Sequence, residues 1–185
     1  TDALVDGVAV VTINDNDAPP TASVADIAVD EGTTGATATA TVTATLSEVS
    51  GKDITVQIDT ADGTATTADS DYTAVTAGSI TILAGAADGT ADIDVIGDVT
   101  DEGDSEAFTA TISGGTNVTV DAADTATVTI TDDDDPPVIS IADVSVDEGD
   151  DGAASAAVAV TFSNPSASTV DVNYVTGDGT ATTAD

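Results

Sequence analysis

The stretch ATATATVTATL, residues 36–46, alternates apolar residues with threonine along its whole length. In a β-strand, successive side chains point to opposite faces of the sheet, so the apolar set and the threonine set lie on different faces. Threonine suits an exposed face, because its β-branched side chain fits the pleat and its hydroxyl group stays hydrated. The stretch predicts a strand with one face in a core and the other in solvent.

Six further segments of this kind surround it. They centre on Ile27 and Val29, on Ile54 to Ile58, on Ile80 and Ile82, on Ala91 to Val95, on Phe108 to Ile112 and on Ala126 to Ile130. Seven short alternating strands with turn signals between them predict an all-β fold, an immunoglobulin-like antiparallel β-sandwich of about seven strands. The scarce aromatic residues Tyr72 and Phe108 are expected in its core.

The sequence also repeats over a long spacing. PPTASVADIAVDEG, residues 19–32, returns as PPVISIADVSVDEG at residues 136–149, identical at nine of fourteen positions and offset by 117 residues. DGTATTAD, residues 62–69, returns unchanged at residues 178–185. A period of this length is the size of one domain, which predicts a tandem array.

The predicted boundaries follow from these matches. VAVVTINDND at residues 8–17 corresponds to TATVTITDDD at residues 125–134, near the end of the period. We therefore expect residues 1–18 to be the C-terminal strand of a preceding repeat, residues 19–135 a complete repeat, and residues 136–185 the N-terminal part of a following repeat.

The charge is extreme, because 35 acidic residues stand against one basic residue, Lys52. Binding to nucleic acid or to an anionic membrane surface requires many Lys and Arg side chains, so neither is an expected partner. No apolar run is long enough to span a bilayer, and direct membrane insertion is not expected. The alternating strands argue against intrinsic disorder, so folding requires something that neutralises the acids.

The acidic residues gather at the ends of alternate strands. If each connection reverses the chain, the first, third, fifth and seventh strands all finish at one tip of the sandwich. Those ends carry Asp30 and Glu31, then Asp62, Asp69 and Asp71, then the stretch 97–106, and finally Asp132 to Asp135. The opposite tip is less acidic and carries Lys52.

Carboxylates crowded in this way repel one another, by about 4 kcal/mol per pair at ~4 Å and an effective dielectric constant near 20. A bound cation removes that cost. Oxygen-only ligands favour Ca²⁺, which accepts about six to eight oxygens, whereas Zn²⁺ prefers the His and Cys that this chain lacks. The sequence predicts Ca²⁺ as the cofactor.

Four motifs carry a family resemblance: DEG at 30–32, DGTATTADSDY at 62–72, EGDSEAF at 102–108 and VTITDDDD at 128–135. In this order they resemble the Calx-beta domain, a calcium-binding immunoglobulin-like sandwich found in sodium/calcium exchangers, an integrin subunit and long bacterial surface proteins. The resemblance covers the complete repeat, the segment after it and the terminal strand before it.

The resemblance implies a set of calcium ligands. In the complete repeat these are Glu31, Asp71, Asp98, Glu102, Glu106, Asp132, Asp133 and Asp134, with the backbone carbonyl near Thr100. The equivalent ligands of the flanking copies are Asp15, Asp17 and Glu148. Gly97 stands where some members of the family carry another Asp.

Two alternatives apply to the acidic residues. They could solvate the surface of a salt-adapted protein, although this does not explain their clustering at one tip. Asp62 and Asp69, within DGTATTAD, fit local turns that Asp-Gly and threonine stabilise, and we expect this role rather than ligation for both.

The chain has no His, Cys or Arg, so we do not expect an enzyme. The leading hypothesis is a calcium-binding structural repeat of a long extracellular surface protein, such as an adhesin stalk or filament, with Ca²⁺ rigidifying the joints between repeats. Its partners would be calcium ions, neighbouring repeats and other copies in a filament. Alternatives are an adhesive module that binds a protein or glycan directly, and a cadherin-like or regulatory calcium-binding domain.

Overall fold

The computed structural model describes residues 11–14, 16–33, 35–103, 105–120 and 124–181. These described residues contain ten strands: β1 (Ala22–Ser23), β2 (Ile27–Asp30), β3 (Thr37–Leu46), β4 (Ile54–Ala61), β5 (Gly78–Ile82), β6 (Asp88–Ile96), β7 (Glu106–Thr116), β8 (Asp124–Thr131), β9 (Ile139–Ile141) and β10 (Val160–Phe162). The described residues include no helix that could cross a membrane.

The first eight strands form two sheets, with the orders β1-β3-β6 and β2-β8-β7-β4-β5. The alternation along β3 is confirmed: Ala40, Val42 and Ala44 are buried, and the threonines between them are exposed. The inward side chains of both sheets, chiefly Val, Ile and Ala, make one core. The predicted β-sandwich is confirmed.

Two details differ from the sequence-based expectation. A short strand that the sequence analysis did not include, β1, precedes the predicted first strand, β2. β1 pairs with β3 in one sheet, whereas β2 pairs with β8 in the other. The β2–β8 pair is parallel, whereas the other strand pairs are antiparallel. Side chains hold this crossing in place: Val24 N–H donates to Asp124 Oδ2 (2.9 Å) and Thr127 N–H to Asp26 Oδ1 (2.7 Å).

Tyr72 and Phe108 lie in the core, as expected. Their rings stack with centroids 3.9 Å apart and planes 5° from parallel. The Tyr72 hydroxyl donates to Asp62 Oδ1 (2.7 Å), so the core pair is tied to the loop after β4. This loop also carries Asp71, one of the predicted ligands.

Candidate metal centre

The four acidic strand ends converge on one tip of the sandwich. The Asp98 N–H donates to Glu31 Oε1 (3.0 Å), which joins the end of β6 to the end of β2. The N–H groups of Glu102 and Gly103 donate to Asp132 Oδ2 (2.8 and 2.9 Å), which joins the β6–β7 loop to the end of β8. The convergence expected from strand direction is present among the described residues, and we call this end of the repeat the metal tip.

The first group of carboxylates at the metal tip is the Glu31 cluster, formed by Glu31, Asp132 and Asp134. One carboxylate oxygen from each lies within 4.8 Å of the others. Glu31 is only 5% exposed. Glu31 is the residue directly after β2. It continues the hydrogen bonding of that strand, because its N–H donates to the Thr131 carbonyl (2.9 Å). The strand pairing of β2 with β8 therefore sets Glu31 beside the acidic run after β8.

Two buried oxygens of the Glu31 cluster, Glu31 Oε2 and Asp134 Oδ2, accept no hydrogen bond. Burial, together with the charges of Glu102, Asp98 and Asp132, raises the pKa of Glu31 to about 7, although the Asp98 N–H lowers it in part. Burial and the neighbouring carboxylates also raise the pKa of Asp134. A buried acceptor without a donor costs free energy unless a cation or proton satisfies it.

The second group is the Asp71 cluster, formed by Asp71, Glu102 and Glu106, again with carboxylate oxygens within 4.8 Å of one another. Burial, the hydrogen bond to Asp71 and the nearby acids raise the pKa of Glu106 to about 7. Burial raises the pKa of Glu102 as well, and both Asp71 and Asp132 add to the shift. Because the charge of one acid from each cluster contributes to the raised pKa of Glu102, the two clusters are electrostatically connected.

Asp132 organises the loop between the clusters. Its Oδ2 accepts from the two N–H groups of Glu102 and Gly103, and its Oδ1 accepts from Asp134 N–H (2.9 Å). Hydrogen bonds of this kind, from backbone N–H groups to a carboxylate, hold a loop without using every lone pair of the carboxylate. Asp132 can therefore position the loop and still offer an oxygen to a cation.

Gly97 is required by close packing at the metal tip. A Cβ atom there would lie 2.4 Å from the Gly32 carbonyl oxygen, which is impossible without moving the backbone. The absence of an Asp at this position, noted from the resemblance, therefore brings the β6 end against the residue that follows Glu31.

The DGTATTAD loop has the local role expected for Asp62 and Asp69. Asp62 Oδ1 accepts from Thr67 N–H (3.1 Å) and from Tyr72, and Asp69 Oδ2 accepts from the Thr66 hydroxyl (2.9 Å). Thr66 N–H in turn donates to Asp71 Oδ2 (2.6 Å). The loop thus fixes Asp71, while the charge of Asp69 still raises the pKa values of Glu102 and Glu106.

The remaining predicted residues lie outside the two clusters. Asp98 and Thr100 are adjacent to them, with Thr100 N–H donating to Asp98 Oδ1, and the exposed Asp133 accepts from Gly32 N–H (3.2 Å). Asp17 lies at the opposite tip, where it shares a cavity wall with Lys52, and Glu148 is exposed in the following segment. Asp15 lies outside the described residues.

The atoms that the two clusters offer to a metal ion are all carboxylate oxygens, which suits a hard divalent cation. A sequence profile of the Calx-beta domain matches residues 14–134 and again residues 132–185. The chain belongs to the Calx-beta family. No curated protein sequence matches it significantly.

Solved structures of Calx-beta domains resemble the chain in fold. A crystal structure described as calcium binding domain CBD12 of CALX1.1 has a TM-score of 0.53 and 23% identity, covering 66% of this chain and 50% of that one. The apo form of the Calx CBD1 domain has a TM-score of 0.50 and 22% identity, covering 62% of this chain and 98% of the domain. This Calx-beta chain therefore spans about half the length of the CBD12 structure.

Sequence reasoning did not separate the metal tip into two clusters. It also missed the contribution of Asp101, whose charge raises the pKa of Asp134. Neither feature has a sequence signal, because both depend on where side chains point within loops that alternate acidic and small residues.

Proposed function

We propose that this Calx-beta chain is a calcium-binding, non-catalytic structural module of a long extracellular or cell-surface protein, in which Ca²⁺ holds the fold and stiffens the joint to the next repeat. The observation that carries the proposal is the buried Glu31 Oε2, which has no hydrogen-bond donor and sits beside Asp132 and Asp134.

The two clusters divide the ligands. Glu31, Asp132 and Asp134 would hold one ion, with Asp98 adjacent, and Asp71, Glu102 and Glu106 would hold another. A bound Ca²⁺ supplies positive charge where the acids otherwise repel each other. The chain holds the ligand oxygens in place through hydrogen bonds from backbone N–H groups to Asp132 and Asp71.

The Glu31 cluster also lies where the chain leaves the repeat. Asp132 and Asp134 precede Pro136 and Pro137, whose fixed φ angles favour an extended path. An ion held by this acidic run ties the exit segment to the body of its own repeat. Bending at the joint then requires breaking metal–ligand bonds.

Ligand binding would also stabilise the fold by mass action. For calcium at ten to a hundred times the dissociation constant, each site adds about 1.4 to 2.7 kcal/mol to the free energy of unfolding. That contribution matters here, because the buried core cluster of the described residues is aliphatic except for Tyr72 and Phe108.

Thermal melting of the chain with calcium, with chelator, and with chelator plus sodium chloride at matched ionic strength tests the proposal. We expect calcium alone to raise the melting temperature markedly. If sodium chloride restores the melting temperature as well as calcium does, the acids only need diffuse screening and the proposal is wrong.

Stiffening of the joint has its own test, in which Asp132, Asp133 and Asp134 are all changed to Asn. We expect small-angle X-ray scattering to show a shorter and broader distribution of particle lengths for the variant in calcium. An unchanged length would assign the stiffness to Pro136 and Pro137 instead.

A regulatory calcium-binding domain is the second candidate, and membership of the Calx-beta family favours it. The two roles differ in required affinity. A module exposed to millimolar external calcium functions with a weak site, whereas an intracellular regulator must respond at about micromolar calcium. Calorimetric titration with calcium measures this difference directly.

A further inference from the structure

Asp135 to Pro137 form the linker that follows β8. The segment after this linker contacts the metal tip through residues 163–167, which we call the docking loop. Asp101 N–H donates to the Pro165 carbonyl (3.2 Å), and Ala167 N–H donates to the Asp101 carbonyl (3.0 Å). Asp101 and Ser166 thereby pair as a short parallel bridge. These backbone–backbone bonds join residues 64 and 66 positions apart in the sequence.

Asn164 adds a side-chain clasp to this bridge. Its Nδ2 donates to the Asp135 carbonyl (2.8 Å) and approaches the Val99 carbonyl (3.5 Å), while its Oδ1 accepts from the Ser163 hydroxyl (2.6 Å). One amide group therefore contacts both the β6–β7 loop and the linker.

The docking-loop residues that contact the metal tip are also the less exposed ones. From Val138 to Ala181, the described residues are all exposed except Asn164 and Ser166, which are partly buried. The contact with the metal tip therefore accounts for the reduced exposure in this segment.

The complete repeat contains the equivalent of the docking loop, at residues 47–51. The register is fixed by matching bonds, since Thr21 N–H donates to Ser47 Oγ (3.0 Å) as Val138 N–H donates to Ser163 Oγ (2.8 Å). Glu48 thus occupies the position of Asn164 and is exposed. A carboxylate has no N–H to offer to carbonyl groups, so the two loops differ at the residue that makes the clasp.

The surface on which the docking loop rests is flanked by predicted metal ligands. Val99 to Asp101 lie between Asp98 and Glu102, and these two are held by hydrogen bonds to Glu31 and Asp132. An ion that fixes Asp98 and Glu102 also fixes the carbonyl and N–H groups that the docking loop uses. Fixing a surface before it is bound lowers the entropic cost of binding.

We propose that the docking loop is an interaction surface for the β6–β7 loop of the complete repeat, with Asn164 as its specific contact, so that docking and calcium binding favour each other. This rests on the proposed calcium-binding function. Linkage makes the effect reciprocal: a variant that cannot dock binds calcium more weakly, and removal of calcium loosens docking.

The chain has no cysteine, so a pair introduced by Ser79→Cys in β5 and Ser145→Cys in the following segment can carry dyes for single-molecule energy transfer. We expect one narrow transfer distribution in calcium. Asn164→Ala should broaden the transfer distribution. It should also raise the calcium dissociation constant, measured by calorimetry, about fivefold. Asn164→Asp, which keeps the shape but loses the N–H groups, should do the same.

Glu48→Ala is the matched control, because it changes the equivalent position away from the metal tip, and it should alter neither readout. Calcium binding with the same transfer distribution in Asn164→Ala and in the unchanged chain would overturn docking and leave the proposed function standing. Absence of calcium binding in the unchanged chain would overturn both.

Discussion

At both tips of the sandwich acids accept hydrogen bonds from backbone N–H groups, but only the metal tip keeps buried acid oxygens unsatisfied among the described residues. At the tip that carries Lys52, acids cap backbone groups: Asp53 Oδ1 accepts from Ala84 N–H (2.8 Å) and Asp124 Oδ2 from Val24 N–H (2.9 Å). At the metal tip, Glu31 and Asp134 each keep a buried oxygen without a donor. An acid whose oxygens all accept hydrogen bonds stabilises the fold without a ligand, whereas an acid with a buried unsatisfied oxygen requires a cation or a proton.

The largest expected effect comes from removing the carboxylate that serves both purposes. Asp132→Ala should lower the free energy of unfolding in calcium by about 3 kcal/mol, because it leaves amide groups unpaired and removes a ligand. Urea denaturation measures the change. Asp88→Ala, at an exposed acid at the start of β6 and away from the metal tip, should cost less than about 0.5 kcal/mol, and equal losses would contradict the role given to Asp132.

The next largest effect is the pH dependence of the free energy of unfolding, which we expect to come from acids at the metal tip. Without calcium, Glu31 and Glu106 have pKa values raised from 4.5 to about 7, so the folded state binds more protons than the unfolded state between these values. Stability must therefore fall as pH rises from 5 to 8, and for Glu31 we expect about 2 kcal/mol.

Melting in calcium-depleted buffers across this pH range checks the slope, and Glu31→Gln should flatten it. In saturating calcium the slope should reverse, because protons compete with the ion for the same oxygens. A melting temperature that rises with pH in calcium-depleted buffer would show that Glu31 does not titrate as described.

A smaller effect should change sign with calcium. Glu31→Gln removes a buried charge, so we expect it to stabilise the calcium-free fold by about 1 kcal/mol and to destabilise the calcium-bound fold. Asp124→Asn, at the opposite tip, should lower stability by about 1 kcal/mol in both conditions, since it weakens a cap. Differential scanning calorimetry with and without calcium compares the pair, and matching responses would remove the distinction between the tips.

The smallest expected effect is that of Lys52→Gln. An exposed cation contributes at most about 0.5 kcal/mol, so denaturation midpoints should scarcely move and should not depend on calcium. A large loss would mean that this basic residue offsets the acidic charge of the whole repeat.

The sequence allowed the strands and the metal tip to be predicted because both follow from simple periodicities. Alternation places Val42 and Ala44 in the core, and reversal of direction brings the ends of alternate strands together. Strand β1 and the crossing from it to β2 could not be predicted, because they depend on Asp124 and Asp26 accepting hydrogen bonds from backbone groups about a hundred residues away. The division of the ligands into two clusters depends likewise on side-chain directions that periodicity does not determine.

The parallel pairing of β2 with β8 has a mechanical consequence. The chain enters the repeat near Pro20, at the Lys52 tip, and leaves beyond Thr131, at the metal tip. Tension applied along the chain therefore pulls β2 and β8 in opposite directions along their common axis. The ladder from Ile27–Val128 to Asp30–Thr131 is loaded in shear, so its hydrogen bonds share the force and must rupture together rather than unzip one at a time.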